Sequence, residues 1–166
     1  FATSLGNIRR NKLNDFHNIN ANGKIAMKLK EKDSLVNVVV CSDRDNIFMS
    51  TRLGKCVRFS CKDLRVFSGR SSVGVRGVKL SNEDSIISLA ILNGFDFVVE
   101  ERDEYLKICS AERKNEKFER EILDEKKFSL LKENEEFILS VTDKGFGKRS
   151  SSYEYRKTSR GGVGIA

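Results

Sequence analysis

One stretch of this chain occurs twice within it. Residues 23–39 read GKIAMKLKEKDSLVNVV and residues 74–90 read GVRGVKLSNEDSIISLA. Both run from a glycine through a small residue (Ala26 or Gly77) to an apolar residue and Lys-Leu. Both then place Asp-Ser, at Asp33-Ser34 and Asp84-Ser85, before an alternating apolar stretch, with no gap in register. An earlier pattern aligns three times. Thr3, Thr51 and Thr142 each stand three residues before a glycine (Gly6, Gly54, Gly145), and Arg10, Arg58 or Arg149 follows four residues after it. The third copy continues to Gly161-Gly162-Val163-Gly164-Ile165, a partial match to the glycine pattern. Internal repeats of this length constrain the fold strongly, because each unit buries its faces only against its neighbours.

The physical content of each copy is β. FATSLGNIRR, MSTRLGKCVRF and SVTDKGFGKRS read as strand–turn–strand units, whose glycine supplies the positive φ that a tight hairpin needs. The later glycines mark a close backbone approach ahead of another strand. LVNVVV and IISLAIL read as short apolar strands at buried sheet positions. About four strands in some 50 residues is the size of a propeller blade. The expected fold is all-β, with propeller-like blades of four strands each. The expected divisions are a blade over 1–46, a blade over 47–96, a charged helical insertion over 97–136 and the start of a further blade over 137–166. Two copies and part of a third cannot close a ring of four or more blades, so the chain reads as an arc of a larger ring, or a ring completed by residues outside it.

The insertion shows as a break in spacing. Gly6 and Gly54 are 48 residues apart, whereas Gly54 and Gly145 are 91 apart. Residues 100–136 hold no glycine or proline, are rich in helix formers and place Val98, Arg102, Tyr105 and Cys109 at helical spacing, with Phe118, Ile122 and Phe128 following loosely. One or two helices are expected. This stretch carries nine basic and thirteen acidic side chains, so the net +7 of the chain becomes +11 on the remainder. A basic balance of that size points to nucleic acid first and to an anionic membrane second. The insertion itself suits a solvated decoration or a protein contact.

Catalytic and metal readings find little to stand on. Cys41, Cys56, Cys61 and Cys109 form no C-x-x-C pair, and the single histidine, His17, lies in a polar loop, so no metal site is expected. There is no phosphate-binding glycine-lysine loop and no G-x-S-x-G elbow. The chain reads as non-catalytic and free of cofactors. No apolar run reaches the length of a membrane span, and no signal-peptide pattern is present.

The glycine-rich strings resemble a known family. FATSLGNIRRNKLNDF, LRVFSGRSSVGVRGVKL and TDKGFGKRSSSYEYRKTSRGGVGI look like successive blades of the DNA gyrase A C-terminal domain, over about 1–92 and 137–166. The middle string is the most specific. The resemblance implies a β-pinwheel, a ring of usually six four-stranded blades that exchange strands with their neighbours. It implies DNA wrapped around a basic rim, without sequence preference, in support of ATP-dependent negative supercoiling by the intact type IIA topoisomerase. Through it follow a partner, the gyrase B protein, in a heterotetramer, ATP and Mg in the intact enzyme only, and a cytoplasmic, nucleoid-associated location. The family's first-blade box, Gln-Arg-Arg-Gly-Gly-Lys-Gly, is absent; Ser159-Arg160-Gly161-Gly162-Val163-Gly164 only echoes it, so the chain resembles roughly blades three to five. The insertion departs from the commoner family pattern. An open arc also invites a strand-exchanged dimer.

On this reading the phosphate contacts are Arg9, Arg10 and Lys12 in the first copy, Arg58, Arg65, Arg70 and Arg76 in the second, and Lys148, Arg149, Arg156, Lys157 and Arg160 in the third. Ser71, Ser72 and Ser150 to Ser152 stand beside them as further donors. Arg76, inside a tight glycine turn, is the arginine expected to brace blade packing instead. Tyr105, Tyr153 and Tyr155 read as packing residues. Two alternatives remain at this level: the related domain of topoisomerase IV, and a protein-binding propeller of the kelch or WD type, the latter disfavoured in a chain without tryptophan.

Overall fold

The structure, a computed structural model, describes residues 1–18 and 20–166. It divides into two compact units: Phe1–Leu92 together with Lys157–Ala166, and Asn93–Arg156.

In the first unit the strands are β1 (Ala2–Thr3), β2 (Asn7–Ile8), β3 (Arg10–Asn11), β4 (Leu35–Asn37), β5 (Asn46–Thr51), β6 (Cys56–Ser60), β7 (Val66–Phe67), β8 (Val75–Arg76) and β9 (Ile86–Leu92). One sheet runs β4-β1-β2-β8 and another β6-β5-β9, while β3 pairs with β7 in parallel. The fourth strand of the first sheet comes from the next copy, because Val75 pairs with Ile8 and Arg76 with Asn7. The second sheet repeats the device. Ile165 bridges Cys56, with their N–H groups and carbonyls exchanged at 2.7 and 2.8 Å. These are the strand-exchanged blades that the resemblance implies.

Each Thr-x-x-Gly turn is closed in the same way. Gly6, Gly54 and Gly145 donate their N–H to the carbonyls of Thr3, Thr51 and Thr142 at 3.0, 3.1 and 3.0 Å, with φ of 79, 83 and 81°. The Asp-Ser of the repeat explains itself here. Asp33 Oδ1 accepts from Leu5 N at 2.9 Å and Ser34 N at 3.0 Å; Asp84 Oδ1 accepts from Leu53 N at 3.0 Å and Ser85 N at 2.9 Å. One carboxylate thus ties each of the first two hairpin turns to the start of the outer strand that follows it. That strand is less regular than its sequence suggests in the first copy. Only Leu35–Asn37 of LVNVVV is paired, and Leu35, Val38 and Val40 are exposed. In the second copy the whole of IISLAIL is strand, with Ile86, Leu89 and Leu92 buried. Between the sheets, Ala2, Ile8, Ile47, Met49, Val57, Phe59, Cys61, Leu64, Val78, Ile86 and Leu89 form one apolar core.

The donated strings need glycine. A Cβ on Gly74 would sit 2.4 Å from the Ile8 carbonyl oxygen, and one on Gly164 would sit 2.9 Å from that of Cys56. Both glycines have positive φ, at 82 and 75°.

The second unit holds α1 (Val99–Lys114), α2 (Glu125–Glu133) and the hairpin β10 (Phe137–Val141) and β11 (Gly147–Ser151). The two helices fulfil the expectation for the insertion. Glu101 accepts from the Val98 N–H at the start of α1, and Asp124 Oδ1 accepts from Lys127 N at 2.7 Å at the start of α2. The buried stripe of α1 is Glu101, Glu104, Tyr105, Ile108 and Ala111 rather than one through Val98, which is exposed at the helix start. Phe118 and Ile122 fall between the helices and are exposed, whereas Phe128 is buried. Tyr105, Ile108, Leu123, Phe128, Leu131 and Tyr153 make the core of this unit. Tyr153 packs edge-on against Phe97 and Tyr105, and its hydroxyl donates to Leu131 O at 2.9 Å, in keeping with a packing role. The buried Glu104 carboxylate accepts the N–H groups of Glu121, Ile122 and Leu123, closing the interhelical loop over α1.

Burial disfavours the charged forms of Asp33, Asp84 and Glu104, but the hydrogen bonds they accept outweigh it and hold all three carboxyls below their ordinary range. A lowered pKa in the fold means stability that is complete above the unfolded values of 3.8 and 4.5 and is lost as pH falls through the lowered ones. Glu104→Gln should therefore lose about 1.5–3 kcal/mol at pH 7 and show a smaller further loss on acidification than the parent chain, measured by urea unfolding across pH. Gly74→Ala should cost roughly 2 kcal/mol or more in the same assay.

Candidate nucleic-acid interface

The cations expected at phosphate fall into three groups by what surrounds them. Arg9 and Arg58 are enclosed, at 1% and 4% exposure, and cannot reach a duplex. Arg9 Nη1 donates to the carbonyls of Arg70 and Ser72 at 2.8 and 2.9 Å, and its Nε donates to Asn11 Oδ1 at 2.8 Å. Its guanidinium also lies 5.2 Å from the centre of the Phe67 ring. It serves as an internal brace for the loop 70–72. Arg58 lies on β6 between β5 and the third-copy string, and its own carbonyl accepts from Thr158 N at 2.7 Å.

Arg10, Arg70 and Arg160 are half-buried and occupied. Arg10 pairs with Asp43 at 2.5 Å, which cancels its charge locally. Arg70 and Arg160 hold equivalent places in successive glycine-rich strings. Arg70 Nη1 donates to Ile25 O at 2.8 Å, and Arg160 Nη1 donates to Arg76 O at 2.6 Å. Ile25 and Arg76 are themselves equivalent positions of the repeat. Each string therefore grips the string of the copy before it through one arginine. Arg76, expected to brace packing, instead lends only its carbonyl to this grip, and its side chain is exposed.

The third group faces solvent. In the first unit it comprises Lys12, Arg65, Arg76 and Lys157; in the second, Lys148, Arg149 and Arg156. Arg65 lies 4.3 Å from the centre of the Phe67 ring, and Arg149 lies 4.1 Å from that of Phe137. Such stacking holds a guanidinium flat on the surface while its edge stays open to an anion. Lys148 sits 3.8 Å from the Glu154 carboxylate. Beside Arg65, a shallow depression is lined by Ser68, Gly69, Ser71 and Ser72. Ser71 is exposed there, but Ser150, Ser151 and Ser152 are buried and closed to a ligand.

Lys28 and Lys79, also exposed, are cations of the first unit outside that expected set. Their backbone N–H groups donate to Ser72 O at 3.3 Å and Gly162 O at 2.7 Å, so the repeat holds both in one way. The signal was the Lys-Leu pair, which the gap-free repeat holds at one position in both of its copies.

Removing the brace and removing a surface charge should differ. Arg9→Ala should lower the unfolding free energy by roughly 3 kcal/mol, since several buried hydrogen bonds go with it. Arg65→Ala and Arg76→Ala should each stay within about 0.5 kcal/mol of the parent, all read by denaturant titration.

The arrangement has known counterparts. A family model described as DNA gyrase C-terminal domain, beta-propeller, matches residues 1–42, 45–93 and 136–166 and passes over most of the helical insertion. The DNA gyrase A protein of Granulibacter bethesdensis is 45% identical over 187 aligned residues, covering 100% of this chain and 20% of that protein. The corresponding protein of Rickettsia bellii is 48% identical over 173 residues, covering 99% and 19%. The chain thus spans about a fifth of the length of these curated relatives. Among solved structures, the C-terminal domain of DNA topoisomerase IV superposes with a TM-score of 0.69 at 18% identity, over 99% of this chain and 39% of that one. The DNA gyrase A C-terminal domain gives 0.64 at 22%, over 99% and 41%. At these identities the two structures speak for the fold.

Proposed function

The chain belongs to the DNA gyrase C-terminal domain, beta-propeller family, and from that premise we propose that it binds duplex DNA along its exposed cations and bends it, without reading sequence. The observation that carries this is the distribution of charge. The β repeats hold a net +11 against −4 on residues 100–136. Once the buried and occupied arginines are set aside, each copy still presents solvent-facing cations: Lys12 and Lys28; Arg65, Arg76 and Lys79; Lys148, Arg149, Arg156 and Lys157. Such cations meet phosphates, and phosphate contacts position a duplex without specifying its bases. Bending 20–30 base pairs by 40–90° costs on the order of 1–6 kcal/mol, which several phosphate contacts offset.

In the whole protein the bound segment would be the wrapped DNA that gives ATP-driven strand passage its negative sense, together with the gyrase B protein, in the cytoplasm at the nucleoid. The catalytic tyrosine and the nucleotide site of such an enzyme would lie outside this chain. Self-association, where it occurs, would use the glycine-rich string that already joins successive copies.

The test is binding to a duplex of about 40 base pairs across a salt series. With six to ten phosphates engaged, affinity should fall about 10³- to 10⁵-fold between 50 and 200 mM salt. Neutralising Arg65 or Lys79 should lower the slope by about one and weaken binding equally on unrelated sequences. A response flat in salt would refute the proposal.

A further inference from the structure

Cys41 and Cys61 come from different copies of the repeat. Cys41 follows β4, the outer strand of the first copy; Cys61 opens the short 3-10 turn Cys61–Asp63 after β6 of the second. Their sulfurs lie 3.4 Å apart, a hydrogen-bonded contact between two free thiols. We propose that they are a reversible disulfide site that, when oxidised, locks one repeat covalently to the next.

The surroundings give the pair an order of reaction. Cys61 is wholly buried, whereas Cys41 is partly exposed. Both line a cavity of about 720 Å³ that also takes in Arg10, Leu13, Val40 and Leu89. An oxidant entering that space reaches Cys41 first. Arg10 Nη1 stands 3.5 Å from Cys61 Sγ, within hydrogen-bond reach of the sulfur. Burial and the neighbouring Cys61 push the Cys41 thiol up to about 11, so its attack on a peroxide is slow. Metal binding is the poorer role for it: among the described residues, no group of three or more His, Cys, Asp or Glu side chains is placed to hold an ion.

With a peroxide as oxidant the chemistry balances. The Cys41 sulfur attacks one peroxide oxygen, the O–O bond breaks, and Cys41 becomes a sulfenic acid as one water leaves. The Cys61 sulfur then attacks the Cys41 sulfur, the S–S bond forms, and the sulfenic oxygen departs as a second water. Two thiols lose two electrons to the peroxide, and their protons end in the waters. Closing the bond requires the sulfurs to approach from 3.4 Å to about 2.0 Å, within the reach of side-chain rotation and a small shift of the exposed segment 38–45. A dithiol reductant reverses it by exchange.

The test treats the native protein with hydrogen peroxide, blocks remaining thiols with an alkylating reagent and digests with trypsin without reduction. Expected is a cross-linked pair of peptides, residues 33–44 joined to 59–62, lighter than their sum by two hydrogens and separated by dithiothreitol. The circular dichroism spectrum should be unchanged. Cys56→Ser and Cys109→Ser should leave the cross-link in place, and Cys41→Ser should leave Cys61 a protected free thiol. Oxygenated Cys41 beside a free Cys61, no modification of either, Cys41 joined to another cysteine, or a cross-link seen only with loss of the native spectrum would each overturn the proposal.

Discussion

Everything in the repeated part of this molecule depends on strands passed from one copy to the one before. A sheet of β4, β1 and β2 has an open edge until β8 of the next copy covers it, and Ile165 does the same for the sheet of β6, β5 and β9. An uncovered edge presents unpaired N–H and C=O groups, which are costly when dry and adhesive when wet. Donation removes that liability and makes folding of each copy conditional on its successor. It also explains the glycines, because Gly74 and Gly164 bring the donated backbone too close to Ile8 and Cys56 for any side chain. The arginine grip of Arg70 on Ile25 and of Arg160 on Arg76 then runs the linkage on from string to string.

Polar groups inside the fold do specific jobs in this scheme. Asp33 and Asp84 tie equivalent turns to equivalent strands, and Glu104 does for the interhelical loop what the aspartates do for the hairpins. A buried carboxylate is tolerable because each collects backbone N–H groups that would otherwise be unpaired. Arg9 is the cationic counterpart, directing its donors to the carbonyls of residues 70 and 72. Charges used in this way are lost to a ligand. A surface whose sequence offers an arginine at every turn is thus thinner in accessible cations than composition suggests, and its lysines matter more.

The same repeat places function and structure side by side. Lys28 and Lys79 leave the donated strings at equivalent points, anchored by equivalent backbone bonds, so the spacing of surface charge is inherited from the spacing of the strands. The helical unit carries the opposite net charge and a core of its own, built on Tyr105, Leu131 and Tyr153. Its helices add no net positive charge, while its hairpin carries Lys148 and Arg149.

The repeat, the hairpin turns, the helices of the insertion and the family were all legible in the residues. Each depends on local chemistry or on spacing: a glycine at positive φ, an alternating apolar run, a stretch of helix formers without glycine. Burial of individual side chains was not legible. Arg9 and Arg10 are neighbours, and Arg58 and Arg65 lie on one short stretch, yet one of each pair is buried or occupied in another way than its partner. Strand alternation decides which side of the sheet a residue faces, but only the sheet stacked above decides whether that side is dry. The sequence alone determined a repeated, basic, all-β chain with a helical insertion and the kind of partner its charge suits. The tertiary structure alone decided which cations remain open to that partner, and that two cysteines from different copies meet, because both depend on contacts between segments whose separation along the chain carries no local signal.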